Sequence, residues 1–327
     1  MTGVQNITVT ADEAGMRVDR WFRSHFPDVS HGQLEKYLRK GEVRVAGGRV
    51  KSNRRLEAGE NVRIPPLNAR PSQPRVSSER DEENRKALAS MTLYEDDEIL
   101  ALNKPAGLAV QGGEKTVRHI DGMLGALEKD GTRPKLVHRI DKDTAGLLLV
   151  AKTRKAAQAL AEAFKGRDVE KTYWALVVGA PRPVEGEIDM PVAKRMVRVG
   201  EVGVERVVPA EGEGAKHAVS HFQIVEDIGR VSFIAMRPIT GRTHQLRVHA
   251  AAIGHPIVGD YKYGGDASRI EGVAPSLHLF CRSMSFRHPK TGKQTTITAP
   301  LSGVMKETWS FFRFDDKASV DWPEDLT

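Results

Sequence analysis

Apolar and polar positions alternate over residues 6–10 (Asn-Ile-Thr-Val-Thr), which predicts a short strand. From Arg17 the period lengthens. Val18, Trp21, Phe22 and Phe26 share a helical face, with Pro27 as the stop. Ser30 can cap a second helix, with Gln33 completing a capping box, Leu34, Tyr37 and Leu38 as the apolar stripe, and Gly41 as the C′ residue. Val43 and Val45 then alternate with Glu42 and Arg44 before Gly47-Gly48, predicting a hairpin that returns at Val50.

The pattern lapses over residues 65–90, where Pro71, Pro74, Ser77, Ser78 and the run Glu79-Arg80-Asp81-Glu82-Glu83 leave little to bury. That composition predicts a flexible linker. Strand-like segments resume at Leu93, and Glu98–Lys104 runs into Pro105. Leu147–Ala151 is a short apolar run, read as a buried strand, with Gly146 where the incoming chain needs a close approach. Thr153 can cap a helix whose apolar side is Ala156, Ala157, Leu160 and Phe164 and whose end is Gly166. Residues 170–178 read as a strand, and 216–237 as a hairpin turning at Asp227-Ile228-Gly229-Arg230. A helix is predicted from about Thr243, with Gly254 and Pro256 beyond its end. Strands over 277–286 and 293–298 complete the set, and the acidic end from Phe314 should fray.

A chain of 327 residues with this lapse divides into a domain at 1–66, a linker at 67–90, a second domain at 91–318 and a tail at 319–327. Lys plus Arg number 50 against 43 acids, for a net charge of +7 and a pI near 9.4. The distribution matters more than the total. Lys36, Arg39 and Lys40 share the polar side of the second helix, and Arg44, Arg49, Lys51, Arg54 and Arg55 follow. A merely solvated face would mix in more acids than Glu35 and Glu42, so this stretch reads as a phosphate-binding surface. The single cysteine, Cys281, excludes an intrachain disulfide and a cysteine-held zinc. No secretory pattern opens the chain and no apolar run approaches a bilayer span, so a soluble cytoplasmic protein with no membrane partner is expected.

The chemistry concentrates in Leu136–Gly146, where His138, Arg139, Asp141, Lys142 and Asp143 crowd a loop delivered to a buried strand. Rigid delivery suits a reacting carboxylate. Taken alone, however, such loops are usually solvated connections, and Asp143-Thr144 suits an ordinary turn. Tyr173 in a strand is, by residue type, more often packing than catalyst. His244 and His249 are five apart and leave a helix on different sides, so a metal is not indicated. Gly212-Glu213-Gly214 and Gly292-Lys293 lack the rest of a nucleotide-binding pattern, and no cofactor is indicated.

Several segments together resemble the RluA-type pseudouridine synthases. His138-Arg139-Ile140-Asp141 with Thr144-Ala145-Gly146 is similar to the signature H-R-L-D-x-x-T-S-G, departing at Ile140 and Ala145. Lys104-Pro105-Ala106-Gly107 resembles N-K-P-x-G, Lys171-Thr172-Tyr173 resembles K-x-Y, and Gly241–His249 resembles G-R-T-H-Q-[IL]-R-V-H without departure. The first helices and Leu38–Val45 resemble an S4 RNA-binding domain over roughly residues 16–64.

The resemblance implies an α+β protein: a small S4-like RNA-binding domain before a catalytic domain on a mixed, mostly antiparallel sheet. It implies Asp141 as the essential acid, Tyr173 on the target base and in proton transfer, Arg242 paired with Asp141, and Leu246 packed beside the site. Arg139 is a candidate to fill the space a flipped base vacates. The reaction breaks the N-glycosidic bond of a uridine, turns the uracil and joins C5 to C1′, with no net redox change and no cofactor. The implied partner is RNA, specifically large-subunit (23S) rRNA, and the enzyme is expected to be a monomer. Asp141 could add to C1′, attack the uracil or remove a sugar proton. Two rivals remain at this level. One is a non-enzymatic S4 protein, which would not need these motifs together. The other is a hydrolase pairing Asp141 with Asp143.

Overall fold

The computed structural model describes residues 3–26, 29, 31–67, 79–112, 116, 118–129, 132–200 and 202–322. The chain forms two units, Met1–Ser77 and Ser78–Thr327.

In the first unit, β1 (Gln5–Thr8) precedes α1 (Val18–His25) and α2 (His31–Lys40), followed by β2 (Arg44–Val45) and β3 (Asn61–Ile64). The strands form an antiparallel sheet in the order β1-β3-β2. The apolar stripes of both helices meet it, burying Val18, Trp21, Phe22, Leu34 and Leu38 with Val43, Val45, Val62 and Ile64. Gly41 ends α2 at φ +70°, a conformation that favours glycine. The expected stop at Pro27 and cap at Ser30 lie outside the described residues. The turn of the expected hairpin forms, with Val45 and Gly48 exchanging backbone hydrogen bonds, but no strand continues to Val50. Val45 meets only Gly48 across the turn, and β2 finds its ladder on β3, where Val45 and Val62 are both buried.

The second unit opens with α3 (Glu79–Met91), inside the stretch expected to be a linker. Its polar composition belongs to a helix with one narrow apolar edge: Leu88 is buried, and Ala87 and Met91 pack against the same cluster as Leu100, Leu102, Ile120 and Leu124. Residues 68–78 lie outside the described set. There follow β4 (Thr92–Glu95), β5 (Ile99–Lys104), a short α4 (Ile120–Met123), β6 (Lys135–Leu136), β7 (Ala145–Ala151) and α5 (Arg154–Gly166). Next come β8 (Glu170–Val178), β9 (Glu185–Asp189), β10 (Val192–Val199), β11 (Val202–Pro209), β12 (Val219–Asp227) and β13 (Val231–Pro238). The chain finishes through α6 (Gln245–Ala252), β14 (Leu279–Arg287), β15 (Gln294–Thr298) and α7 (Gly303–Phe312).

Ten strands make one sheet, ordered β4-β5-β7-β14-β8-β13-β12-β9, with β6 on β7 and β15 on β14. Only the β7–β14 pair is parallel, so the sheet is mixed and mostly antiparallel, as expected. β10 and β11 form a separate two-stranded sheet that the hydrophobic pattern did not announce. On the main sheet Trp174 stacks with Trp309 of α7 at 6.1 Å between centroids, and Phe233 meets both edge-on. The expected tail from 319 is part of this body up to Trp322: Val320 and Trp322 pack on the core, and the Arg237 guanidinium lies 4.7 Å from the Trp322 ring centre.

β7 is buried along its whole length, so the loop before it is carried on a rigid element. Gly146 is where β7 approaches β14. Its φ is +101°, and a β-carbon there would stand 2.3 Å from the Cys281 carbonyl oxygen. Neither backbone can yield without breaking the parallel pair. Gly146→Ala should therefore destabilise the fold by about 3 kcal/mol or more, from strain and overlap together. A denaturant titration of the second unit's unfolding checks this. A loss no larger than an ordinary surface substitution gives, within ~0.5 kcal/mol, would contradict it.

Candidate active site

A cavity of about 550 Å³ opens where the loop before β7, the β8 face and the start of α6 converge. Asp141, Tyr173, Arg242, Leu246 and Arg139 all line it, so the sequence-predicted catalytic group is assembled in one place.

The Asp141 loop is held from behind. Lys104, at the end of β5, is fully buried and donates from Nζ to the carbonyls of Pro105 (2.8 Å), Leu108 (2.8 Å) and Lys142 (2.9 Å). Burial lowers its pKa to about 8, against the opposing pull of Asp143 and Asp141. The Gly107 amide also donates to Lys142 O at 2.9 Å, and the Thr144 amide to Asp141 O at 3.2 Å. His138 accepts from the Leu149 amide at Nε2 (2.8 Å) and stacks on Phe164 at 4.5 Å. Burial brings its pKa to about 3, with the Lys171 charge adding to the effect, so the ring is a neutral brace. Asp143 is exposed beside the loop, away from the cavity lining.

The second wall is the turn into α6. Gln245 is buried and latches it: its Oε1 accepts from Thr240 Oγ1 (2.6 Å) and the Arg242 amide (3.0 Å), while Nε2 donates to Val219 O and Ser220 Oγ (both 2.8 Å). His244 adopts a left-handed conformation at φ +54°, so the helix starts at Gln245 rather than near Thr243. This start places a different arginine on Asp141. Arg247 Nη1 is 3.8 Å from Asp141 Oδ2, and His244 Nε2 is 3.7 Å from the same oxygen. Arg242, expected to pair with Asp141, instead donates from Nε to His217 O at 2.9 Å on the cavity rim.

Arg247 is itself anchored. Its Nε and Nη2 bond both carboxylate oxygens of Asp260, at 2.8 and 2.7 Å, and Asp260 has no exposed side-chain surface. Burial opposes the cation, but the Asp260 hydrogen bonds and charge outweigh it and hold Arg247 above the usual arginine range. The guanidinium lies 5.1 Å from the Tyr263 ring centre, and Tyr263 Oη is 2.6 Å from His244 Nδ1. Leu246 is buried at the cavity wall. Tyr173 is nearly buried, and burial, with Cys281 and Asp141 nearby, pushes its hydroxyl well above the ordinary range. It is therefore a neutral ring and hydroxyl at pH 7. Arg139 is exposed at the mouth, with Nη1 3.2 Å from Gln111 Oε1.

In the first unit Lys36, Arg39, Lys40, Arg44 and Arg55 are exposed, with Lys40 3.7 Å from Glu42. Arg54 departs from the expected phosphate-binding set. It makes a two-point bond to Glu60 at 2.8 and 2.5 Å, so its donors and charge are largely spent inside the unit. Among the described residues no group of three His, Cys, Asp or Glu side chains could hold a metal ion, and no helix is long and apolar enough to cross a membrane.

A buried strand delivering a carboxylate to a cavity, faced by an arginine and a tyrosine, defines the class: the chain belongs to the RNA pseudouridylate synthase family, whose sequence profile residues 98–252 match. It is an RNA pseudouridine synthase, an isomerase of uridine in RNA, and RNA is its partner. The chain is 38% identical over 315 residues to the ribosomal large subunit pseudouridine synthase C of Escherichia coli strain K12, covering 93% of this chain and 95% of that one. It is 39% identical over 307 residues to the protein of that name from Yersinia pestis, covering 93% and 94%. Among solved structures, human RNA pseudouridylate synthase domain containing 4 superposes with a TM-score of 0.59 at 26% identity, covering 72% of this chain and 97% of that one.

Proposed function

We propose that this enzyme converts uridines of large-subunit (23S) ribosomal RNA to pseudouridine, acting as a cytoplasmic monomer. The observation that carries the site assignment is the Asp141 carboxylate at the cavity wall, 3.8 Å from an arginine that a buried aspartate holds in place. The similarity to the large-subunit enzymes spans both units and supports the substrate. A uracil stacked in folded RNA cannot reach such a pocket, so the target nucleotide is flipped out. Arg139 at the mouth is placed to fill the vacated space or hold the flanking backbone.

Inside, Arg247 attracts the Asp141 carboxylate and aims Oδ2. Tyr173 offers its face to the uracil and its neutral hydroxyl to proton transfer, while Leu246 supplies apolar contact. The N1–C1′ bond breaks with its electron pair on the uracil, the base turns, C5 bonds to C1′ and loses its proton, and N1 takes up a proton. Addition of Asp141 to C1′, attack on the uracil and removal of a sugar proton all need the carboxylate as an anion. No step needs a cofactor.

The first unit is proposed to dock RNA as an S4 domain through Lys36, Arg39, Lys40, Arg44 and Arg55, with Arg54 in a supporting place beside Glu60. Its core is its own, so a protein lacking residues 1–66 should still fold its second unit. That protein should bind large-subunit RNA more weakly, and its log–log salt slope should flatten by roughly 0.7–0.9 for each phosphate no longer neutralised. Filter binding over a salt series, with mapping of the modified uridines, checks this. An unchanged slope and unchanged site choice would rule out a docking role for the unit.

A further inference from the structure

Lys171 and Tyr173 lie two residues apart on β8, so their side chains leave the same face of the sheet, and both line the cavity. Among the described cations of the cavity, Arg247 is engaged by Asp260 and Arg242 by His217 O, while Lys142 and Arg139 stand exposed to water, Arg139 3.2 Å from Gln111. Lys171 differs. It is half-buried, and its ammonium lies 5.9 Å from the Phe164 ring centre. Among the described residues no carboxylate pairs with it and no oxygen accepts a hydrogen bond from it. The titratable side chains that its charge acts on, His138 and Cys281, are uncharged: the histidine is a neutral brace, and burial pushes the thiol up to about 12.

An ammonium carries three donors. Taking it partly out of water without acceptors is costly, and such groups are ordinarily bonded. Burial alone already lowers the Lys171 pKa from the ordinary lysine range. The missing acceptor is therefore to come from what fills the cavity. Two parts of an RNA could supply it, a phosphate or a base carbonyl. Lys171 stands beside Tyr173 on β8 and near the Phe164 ring, on the wall where the base would lie. Phosphates are better served at the mouth by exposed Arg139.

We propose that Lys171 is a further catalytic residue, whose ammonium donates a hydrogen bond to a carbonyl oxygen of the flipped uracil and holds the charge released when the bond to C1′ breaks. This rests on Asp141 being the essential acid of the same cavity. When N1–C1′ breaks, its electron pair stays on the base and spreads onto O2 and O4. Lys171 stabilises that anion without giving up its proton. The charge is consumed as C5 bonds to C1′, the C5 proton leaves to a base and N1 takes up a proton. Lys171 ends as it began. A donor aimed at developing charge in a water-poor site accelerates a reaction by about 10²–10³-fold.

The test uses the full chain and an RNA carrying uridine, 2-thiouridine or 4-thiouridine at the position that mapping shows to be modified. Sulfur is a weaker acceptor than oxygen. Lys171→Met should slow the single-turnover rate at saturating enzyme by about 10²–10³-fold, with Kd for the RNA unchanged. One of the two thio substrates should slow the wild type yet slow Lys171→Met no further, the non-additivity expected of one shared hydrogen bond. Lys171→Gln should lose rate similarly and serves if the Met variant melts early. A full saturated rate with weaker binding and a salt slope lower by about 0.7–0.9 would make Lys171 a phosphate-binding residue and overturn the proposal. Strictly additive thio effects would overturn it too. Asp141→Asn, run alongside, separates the two readings. Activity in that variant sinks the site assignment, whereas an inactive Asp141→Asn with a full-speed Lys171→Met sinks the Lys171 role alone.

Discussion

Asp141→Asn should abolish pseudouridine formation, by a factor on the order of 10⁴ or more, while RNA binding is kept. The two side chains have nearly the same size. The Asp141 side chain is partly exposed, and the loop is held by backbone bonds and by Lys104 rather than by the carboxylate, so the variant should fold. What it lacks is an anion that can act as nucleophile or base. Asp143→Asn should remain within a few-fold of wild type, because Asp143 is exposed and outside the cavity lining. Chemical mapping of modified RNA, with an equilibrium binding measurement on the same samples, decides between them. A working Asn variant, or an inactive Asp143→Asn with a normal Asp141→Asn, would remove Asp141 from the mechanism.

Arg247→Met should lose both rate and stability, and a second substitution should separate the two losses. Asp260 has no exposed side-chain surface and gives both oxygens to Arg247. Breaking a buried pair from one side costs about 3–5 kcal/mol, since the remaining charge is stranded. Arg247→Met with Asp260→Asn removes the stranded charge and should recover most of that stability. It should not recover the rate, because the anchored guanidinium beside Asp141 Oδ2 is then missing and His244 alone faces that oxygen, and a loss of about 10²–10³-fold is expected to persist. Arg247→Lys should be intermediate, because one ammonium cannot match the planar two-point bond to Asp260 and face Asp141 as well. Arg242→Met should be milder in saturated rate and should show mainly in RNA binding, since its guanidinium is turned to His217 O. Melting curves and single-turnover rates on the four variants check this. A dead Arg242→Met beside an active Arg247→Met would reverse the assignment.

Those two arginines show where the chain could be read and where it could not. The G-R-T-H-Q-L-R-V-H segment was legible as a site element, and its cavity position follows. The partner of Asp141 was not, because it depends on where α6 starts. A helix turns about 100° per residue, so a start at Gln245 instead of Thr243 redirects every side chain in the first turn. The left-handed His244 and the buried Gln245 latch set that start, and neither shows in a periodicity. Asp260 was the available signal: an acid buried thirteen residues beyond Arg247 needs a cation. Gly146 and the β12–β13 hairpin were read correctly because their causes are local, a close approach and an alternating pattern around a glycine turn. The α3 helix was missed because only a narrow edge of it is apolar, and the β10–β11 ribbon because Met196 and Val202 are exposed and spoil the alternation.

The Asp141 cavity is expected to isomerise a uridine in RNA rather than hydrolyse it. Pseudouridine formation replaces the C5 hydrogen by the bond to C1′ and keeps the base on its sugar. The direct measurement is a single-turnover reaction of the full chain on large-subunit RNA made with uridine tritiated at C5, following tritium in water and free uracil together. The expected result is one tritium released for each pseudouridine formed, no free uracil, and neither product with Asp141→Asn. Free uracil in proportion to the tritium-bearing base removed from the RNA, or tritium release that survives Asp141→Asn, would contradict it.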